Sequence, residues 1–166
     1  MEKALYALNW SIPHVGPFAE AAIDTVFATL WRLGAVEGAP QVLRTILDRY
    51  GYRPGVCEGA KSLLDVLYLG AEGKSWTYRA YLAEAFAQAA ATCGLEEAAR
   101  VAEKLLGELG GEERLLASGA YYSLARWLGA RGELDEAERY AELLGKAADG
   151  LAGAARGKAA QHLKWR

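Results

Sequence analysis

Three times in this chain a glycine leads through a bulky aliphatic residue and an acid to an alanine that opens a helical stretch. The phrase reads Gly34-Ala35-Val36-Glu37-Gly38-Ala39, then Gly94-Leu95-Glu96-Glu97-Ala98, then Gly132-Glu133-Leu134-Asp135-Glu136-Ala137. A turn that recurs between helices marks helical hairpins stacked on one another, each burying an apolar face against the next. The phrase constrains architecture strongly and chemistry hardly at all.

The rest of the chain agrees with helices. Prolines stand only at positions 13, 17, 40 and 54, so nothing after Pro54 forbids a run of helices. Apolar positions Ile23, Val26, Phe27, Leu30 and Trp31 repeat at the spacing of one helix face. The same period predicts helices over 18–33, 39–50, 56–69, 75–92, 95–109, 112–130 and 133–148, with Ser75 as the N-cap of the fourth. A short helix over 2–11 and a last one over 150–165, weakened by Gly150, Gly153 and Gly157, complete the reading. No segment has strand period. At 166 residues the chain is expected to form one domain over 1–166. Within it, irregular hairpins occupy 1–70, more regular ones 74–148, and a capping helix 150–166.

Each hairpin's second helix carries a small residue where two helices would cross and aliphatics further along to fill the gap to the next pair: Ala39, Leu43 and Ile46; Ala98, Ala102 and Leu105; Ala137, Ala141 and Leu144. In the third unit Tyr121, Leu124, Ala125 and Leu128 precede Gly132, Leu134 and Ala137. In these positions the chain resembles the tetratricopeptide repeat family, best over 118–148, less over 80–109 and least over 18–50. The equivalent alanines are 59 and then 39 residues apart, against the family's period of about 34. The middle turn is one residue shorter, and no unit carries the proline that often closes a repeat. The resemblance implies an all-α fold of antiparallel helical hairpins stacked as a tetratricopeptide-like α-α superhelix, with an irregular helical bundle as the other arrangement. It also implies a non-catalytic protein–protein interaction module or scaffold that holds a partner in a groove lined by first helices. By position, that groove would present Asp24 from the first unit, Tyr81, Glu84 and Gln88 from the middle unit, and Tyr122 and Arg126 from the third.

The local pattern bears on these residues independently. Glu84, Gln88 and Thr92 are spaced by four, as are Arg114, Ser118, Tyr122 and Arg126, so each set makes one polar stripe along a helix. Such stripes are also what any solvated helix face looks like. Aromatics gather on or beside first helices; Tyr121 and Trp127 read as core, while Trp76 and Tyr78 suit either core or interface.

Other chemistry finds little footing. Gly73-Lys74-Ser75 suggests a phosphate-binding loop, but the glycine required five residues earlier is Tyr68. His14 and His162 stand alone, without metal-ligand spacing, and neither cysteine has a histidine partner. No metal or cofactor is therefore expected. The acid pairs Glu96-Glu97, Glu112-Glu113 and Asp135-Glu136 fall in first turns of helices, where the helix dipole explains them. Net charge is −2, which gives no general pull toward nucleic acid or anionic lipid. The end of the chain is basic, with Arg156, Lys158, Lys164 and Arg166 beside Trp165, and carries a separate nucleic-acid reading.

The N-terminus lacks the basic-then-apolar build of a signal peptide, and no apolar run reaches membrane length. Cys57 and Cys93 are expected to be reduced, buried residues of a cytoplasmic protein. The expected partner is a protein or peptide, or a second copy of the chain, with no membrane. A helical-bundle enzyme or small-ligand-binding protein with an interhelical pocket is the rival reading.

Overall fold

The computed structural model describes the backbone of residues 19–164 and the side chains of residues 21–150. Every element among the described residues is a helix: α1 Ala19–Leu33, α2 Ala39–Tyr50, α3 Val56–Leu69, α4 Trp76–Cys93, α5 Glu96–Glu108, α6 Gly111–Leu116, α7 Ser118–Ala130 and α8 Leu134–Lys164. The all-α expectation holds. The helix expected over 2–11 lies outside the described residues.

The recurrent phrase does in space what its spelling suggests. Gly34, Gly94 and Gly132 all take the left-handed conformation, with φ of 65°, 67° and 79°. That region is open to glycine and costly for a residue with a Cβ. At Gly34 and Gly94 the turned amide donates to the carbonyl four residues back, Leu30 at 2.8 Å and Ala90 at 2.9 Å. At the third copy Gly132 and Glu133 donate to Gly129 and Leu128 at 3.1 and 3.0 Å, the paired bonds of a Schellman cap. The same geometry thus ends α1, α4 and α7 and returns the chain for the next helix.

Helix α4 is the centre of the fold. It packs against α2, α3, α5, α6 and α7, and every residue from 82 to 90 is buried. A helix buried on every side over two and a half turns is an interior helix. The alanines at 80, 83, 85, 87, 89 and 90 let neighbouring backbones come close all round it. Its start is fixed by Ser75, whose hydroxyl accepts from the Tyr78 amide at 3.1 Å and donates to Glu37 at 2.8 Å. The serine of the apparent phosphate loop is therefore a helix cap. Tyr78 is core, its hydroxyl donating to the Leu67 carbonyl at 2.8 Å.

Four expectations are corrected. The single helix expected over 112–130 breaks at Ala117, giving α6 and α7. The separate helices expected over 133–148 and 150–165 are one helix, α8. Glycine within a helix costs about 1 kcal/mol relative to alanine but leaves the hydrogen-bond ladder whole, so it weakens without ending. At Gly150 it also makes room: a Cβ there would stand 3.1 Å from the Leu115 side chain. Third, α8 turns inward through Tyr140 and Ala147, leaving Ala141 exposed. Tyr140 stacks on Tyr121 at 6.2 Å between ring centres, and its hydroxyl donates to Glu103 at 2.7 Å. Ala137 and Leu144 pack partly buried against the core, as expected, while the Tyr140 ring, not Ala141, fills the space between them.

The fourth correction concerns the cysteines. Cys57, in the first turn of α3, and Cys93, the last residue of α4, are joined by a disulfide across Cα atoms 5.7 Å apart. Antiparallel packing brings the start of one helix to the end of the other, which 36 residues of sequence separation do not reveal.

Candidate functional site

Of the residues expected to line a groove, Glu84 and Gln88 are instead sealed between helices, each 5% exposed. Glu84 projects from α4 toward the first turn of α7, where the Gly119 amide donates to Oε1 at 3.0 Å. Its other oxygen, Oε2, lies 3.4 Å from Nε of Arg44, which reaches in from α2 with a partly exposed side chain. One turn along α4, Ser123 Oγ donates to Gln88 Oε1 at 3.2 Å, and Gln88 Nε2 donates to Thr92 Oγ1 at 2.7 Å. The stripe that α4 shows in sequence is thus a polar seam joining α2, α4 and α7.

The seam explains the break at Ala117. A continuous helix through 112–130 would tie the Gly119 amide to the carbonyl four residues back. Ending α6 at Leu116 frees that amide and aims a helix N-terminus at the carboxylate, a placement the helix dipole favours. Glycine leaves room for this contact: a Cβ on residue 119 would sit 2.7 Å from Glu84 Oε1 and would push the carboxylate aside. Burial is the leading influence on the carboxyl and raises its pKa above the ordinary carboxylate value, with Arg44 and the Gly119 amide pulling the other way. Both oxygens are occupied by partners from the protein, so this group fastens helices together.

Both cross-helix bonds from α4 to α7 span 35 residues, from 84 to 119 and from 88 to 123. Two bonds one turn apart with the same offset mean that α4 and α7 lie alongside each other and run in the same direction. The residues facing Glu84 and Gln88 are therefore Gly119 and Ser123. Tyr122 and Arg126 stand on the other side of α7, exposed, with the Arg126 guanidinium 5.6 Å from the Tyr122 ring centre. Tyr81 is half-buried on α4. Asp24 is exposed on α1, at a cleft of about 230 Å³ shared with Ile23, Arg53, Pro54 and Val56, none of them from α4 or α7. The six residues do not converge on one surface. Arg114, expected in the α7 stripe, belongs to α6 and turns its Nε back to the Leu109 carbonyl at 3.0 Å.

Sequence reasoning missed Arg44, Gly119 and Ser123. Ser123 carried a signal, a hydroxyl between Tyr121 and Leu124 on the apolar side of its helix; Gly119, a glycine early in a helical stretch, carried a weaker one. Trp127 is half-buried, with the Arg131 guanidinium 4.7 Å from its ring. The acid pairs stand in first turns, as expected. No group of His, Cys, Asp and Glu among the described residues could hold a metal ion, and no helix there is long and apolar enough to cross a membrane. The basic end continues α8 to Lys164; its side chains lie outside the described residues. Comparison with protein-family models, with curated proteins and with solved structures returned no match.

Proposed function

We propose that this chain is a non-catalytic protein-interaction module, a divergent tetratricopeptide-like stack of hairpins that engages a protein partner through the exposed side of α7. The observation that carries the reading is the seam. Its 35-residue offset lies close to the family's period of about 34, and its parallel α4 and α7 suit first helices set side by side. A rigid backing of this kind lowers the ordering cost of binding for whatever the helix presents outward.

What it presents is Tyr122, a residue 53% exposed, with the Arg126 guanidinium beside its ring. Tyrosine and arginine are enriched among residues that dominate binding energy, because each gives large contact area and a polar handle, and arginine also stacks on aromatic rings. In this reading Glu84 and Gln88 support the surface from inside and touch no partner. Cytoplasmic residence belongs with this reading only where the Cys57–Cys93 bridge is reduced; the bridged form suits an oxidising compartment.

The test is capture of partner protein by wild type and by Tyr122→Ala/Arg126→Ala, with circular dichroism and thermal unfolding as the fold control. The double variant should unfold as wild type does and lose the captured protein. Retained capture by a folded double variant refutes the surface. Sedimentation of both proteins shows whether a second copy of the chain is the partner.

A further inference from the structure

The disulfide joins two helix ends and is not sealed in the core. Cys57 stands in the first turn of α3, Cys93 closes α4, and both are half-buried, within reach of a small thiol in the folded protein. Accessible bridges are the labile ones. The packing of α3 on α4 has other support. Leu63, Leu64 and Leu67 of α3 are buried, and the Tyr78 hydroxyl of α4 donates to the Leu67 carbonyl at the far end of α3. A chain of 166 residues buries enough apolar surface to fold without a staple.

The reduced state has a partner in place. Cys57 Sγ lies 3.4 Å from the Gly51 carbonyl oxygen. The bridged sulfur has no hydrogen to offer, whereas a free thiol at the same spot donates to that carbonyl. The segment leading into α3 is closed by its own turn bonds, Arg53 N–H to Tyr50 at 2.9 Å and Val56 N–H to Arg53 at 3.3 Å. Toward α4 it is held by the disulfide and by Gly51, where a Cβ would run into the Thr92 side chain. Opening the S–S bond leaves Gly51 packed on Thr92 and removes the covalent hold on residues 52–57.

We propose that Cys57 and Cys93 form a reversible redox centre: a dithiol reductant opens the bridge in the folded protein and loosens residues 52–57, while the helices stay packed. A thiolate of the reductant bonds to Cys93 Sγ, the S–S bond breaks, and its electron pair leaves on Cys57 Sγ, which takes a proton from water. Cys57 is the sulfur that departs because the N-terminus of α3 favours an anion more than the C-terminus of α4 does. The reductant's second thiol, as its thiolate, then displaces Cys93 and closes the reductant's own disulfide, and Cys93 is protonated in turn. Two electrons pass to the protein, and a disulfide oxidant restores the bridge by the reverse steps. This device is separate from the α7 surface and does not rest on it.

The test treats the full chain with millimolar dithiothreitol and then with glutathione disulfide, both without denaturant. Alkylation and mass measurement should find two free thiols after the first reagent and none after the second. Far-UV circular dichroism should be the same in both states. Chymotrypsin reads the segment through Tyr52, which is 76% exposed. Its first cut in the reduced protein should fall after Tyr52, about tenfold faster than in the bridged protein. Cys57→Ser/Cys93→Ser should be cut at the reduced rate with or without dithiothreitol. The proposal is overturned if the bridge yields only in denaturant, if the reduced chain loses its helical signal, or if cutting after Tyr52 is equally fast in both states.

Discussion

Replacing Glu84 separates two roles a buried carboxylate can have, as a charge and as a hydrogen-bond acceptor. Glu84→Ala removes the acceptor of the Gly119 amide and leaves an α7 donor buried without a partner, at a cost of about 1–3 kcal/mol. It also empties space between α4 and α7, bringing the expected loss to about 2–4 kcal/mol. Glu84→Gln keeps the shape and an oxygen for Gly119 but removes the charge. Because burial outweighs Arg44 and the Gly119 amide in setting the pKa upward, the fold favours the charged form less than the unfolded chain in water does. Glu84→Gln should therefore be within about 1 kcal/mol of wild type at pH 7, on either side, as the Arg44 contact is lost and the desolvation penalty is relieved.

The pH dependence follows with a definite sign. A carboxyl with a raised folded pKa binds more protons folded than unfolded over the interval between the two values. Its contribution to stability is therefore most favourable below the unfolded value of 4.5 and is lost as pH rises through the higher folded one. Wild type measured against Glu84→Gln should lose stability as pH rises from 4.5 toward neutrality. Urea unfolding of wild type and both variants at a series of pH values provides the measurement. If Glu84→Gln costs as much as Glu84→Ala at pH 7, or wild type gains on Glu84→Gln as pH rises, the charge itself holds the seam and this reasoning fails.

Two further outcomes follow from the same contacts. Gly119→Ala, ordinarily stabilising within a helix, should here cost about 1–3 kcal/mol, because its Cβ meets Glu84 Oε1 at 2.7 Å; in a double-mutant cycle by denaturant unfolding, that cost should shrink when Glu84 is already alanine. Cys57→Ser/Cys93→Ser should lower stability by about 4 kcal/mol through the released 36-residue loop, read as a lower urea midpoint than non-reduced wild type; equal midpoints, or two free thiols in wild type by a thiol assay without reductant, would refute the bridge.

The helices and their turns were legible because their causes are local. A glycine that can take positive φ, a serine cap three residues before its amide and a first-turn acid pair act within about one helical turn of chain. The boundaries at Gly34, Tyr50, Leu69 and Ser75 follow from such signals. The candidate site was not legible in the same way. Glu84 and Gln88 spaced by four look the same whether they face water or another helix, and the sequence does not say which. Of the residues carried over by resemblance, Tyr122 and Arg126 stand exposed on α7, while Glu84 and Gln88 are inside.

By itself, then, the sequence determined an all-α chain, the recurrent left-handed turn, the positions of most helix ends and the burial of Tyr121. The tertiary structure decided the disulfide, the break at Ala117, the rotation that puts Tyr140 inward and Ala141 outward, and the conversion of a polar stripe into an internal seam. The physical reason is range. Helix formation and capping are set by neighbours along the chain, whereas the partners of Glu84, Cys57 and Tyr140 lie 35, 36 and 37 residues away, and only packing brings them into contact.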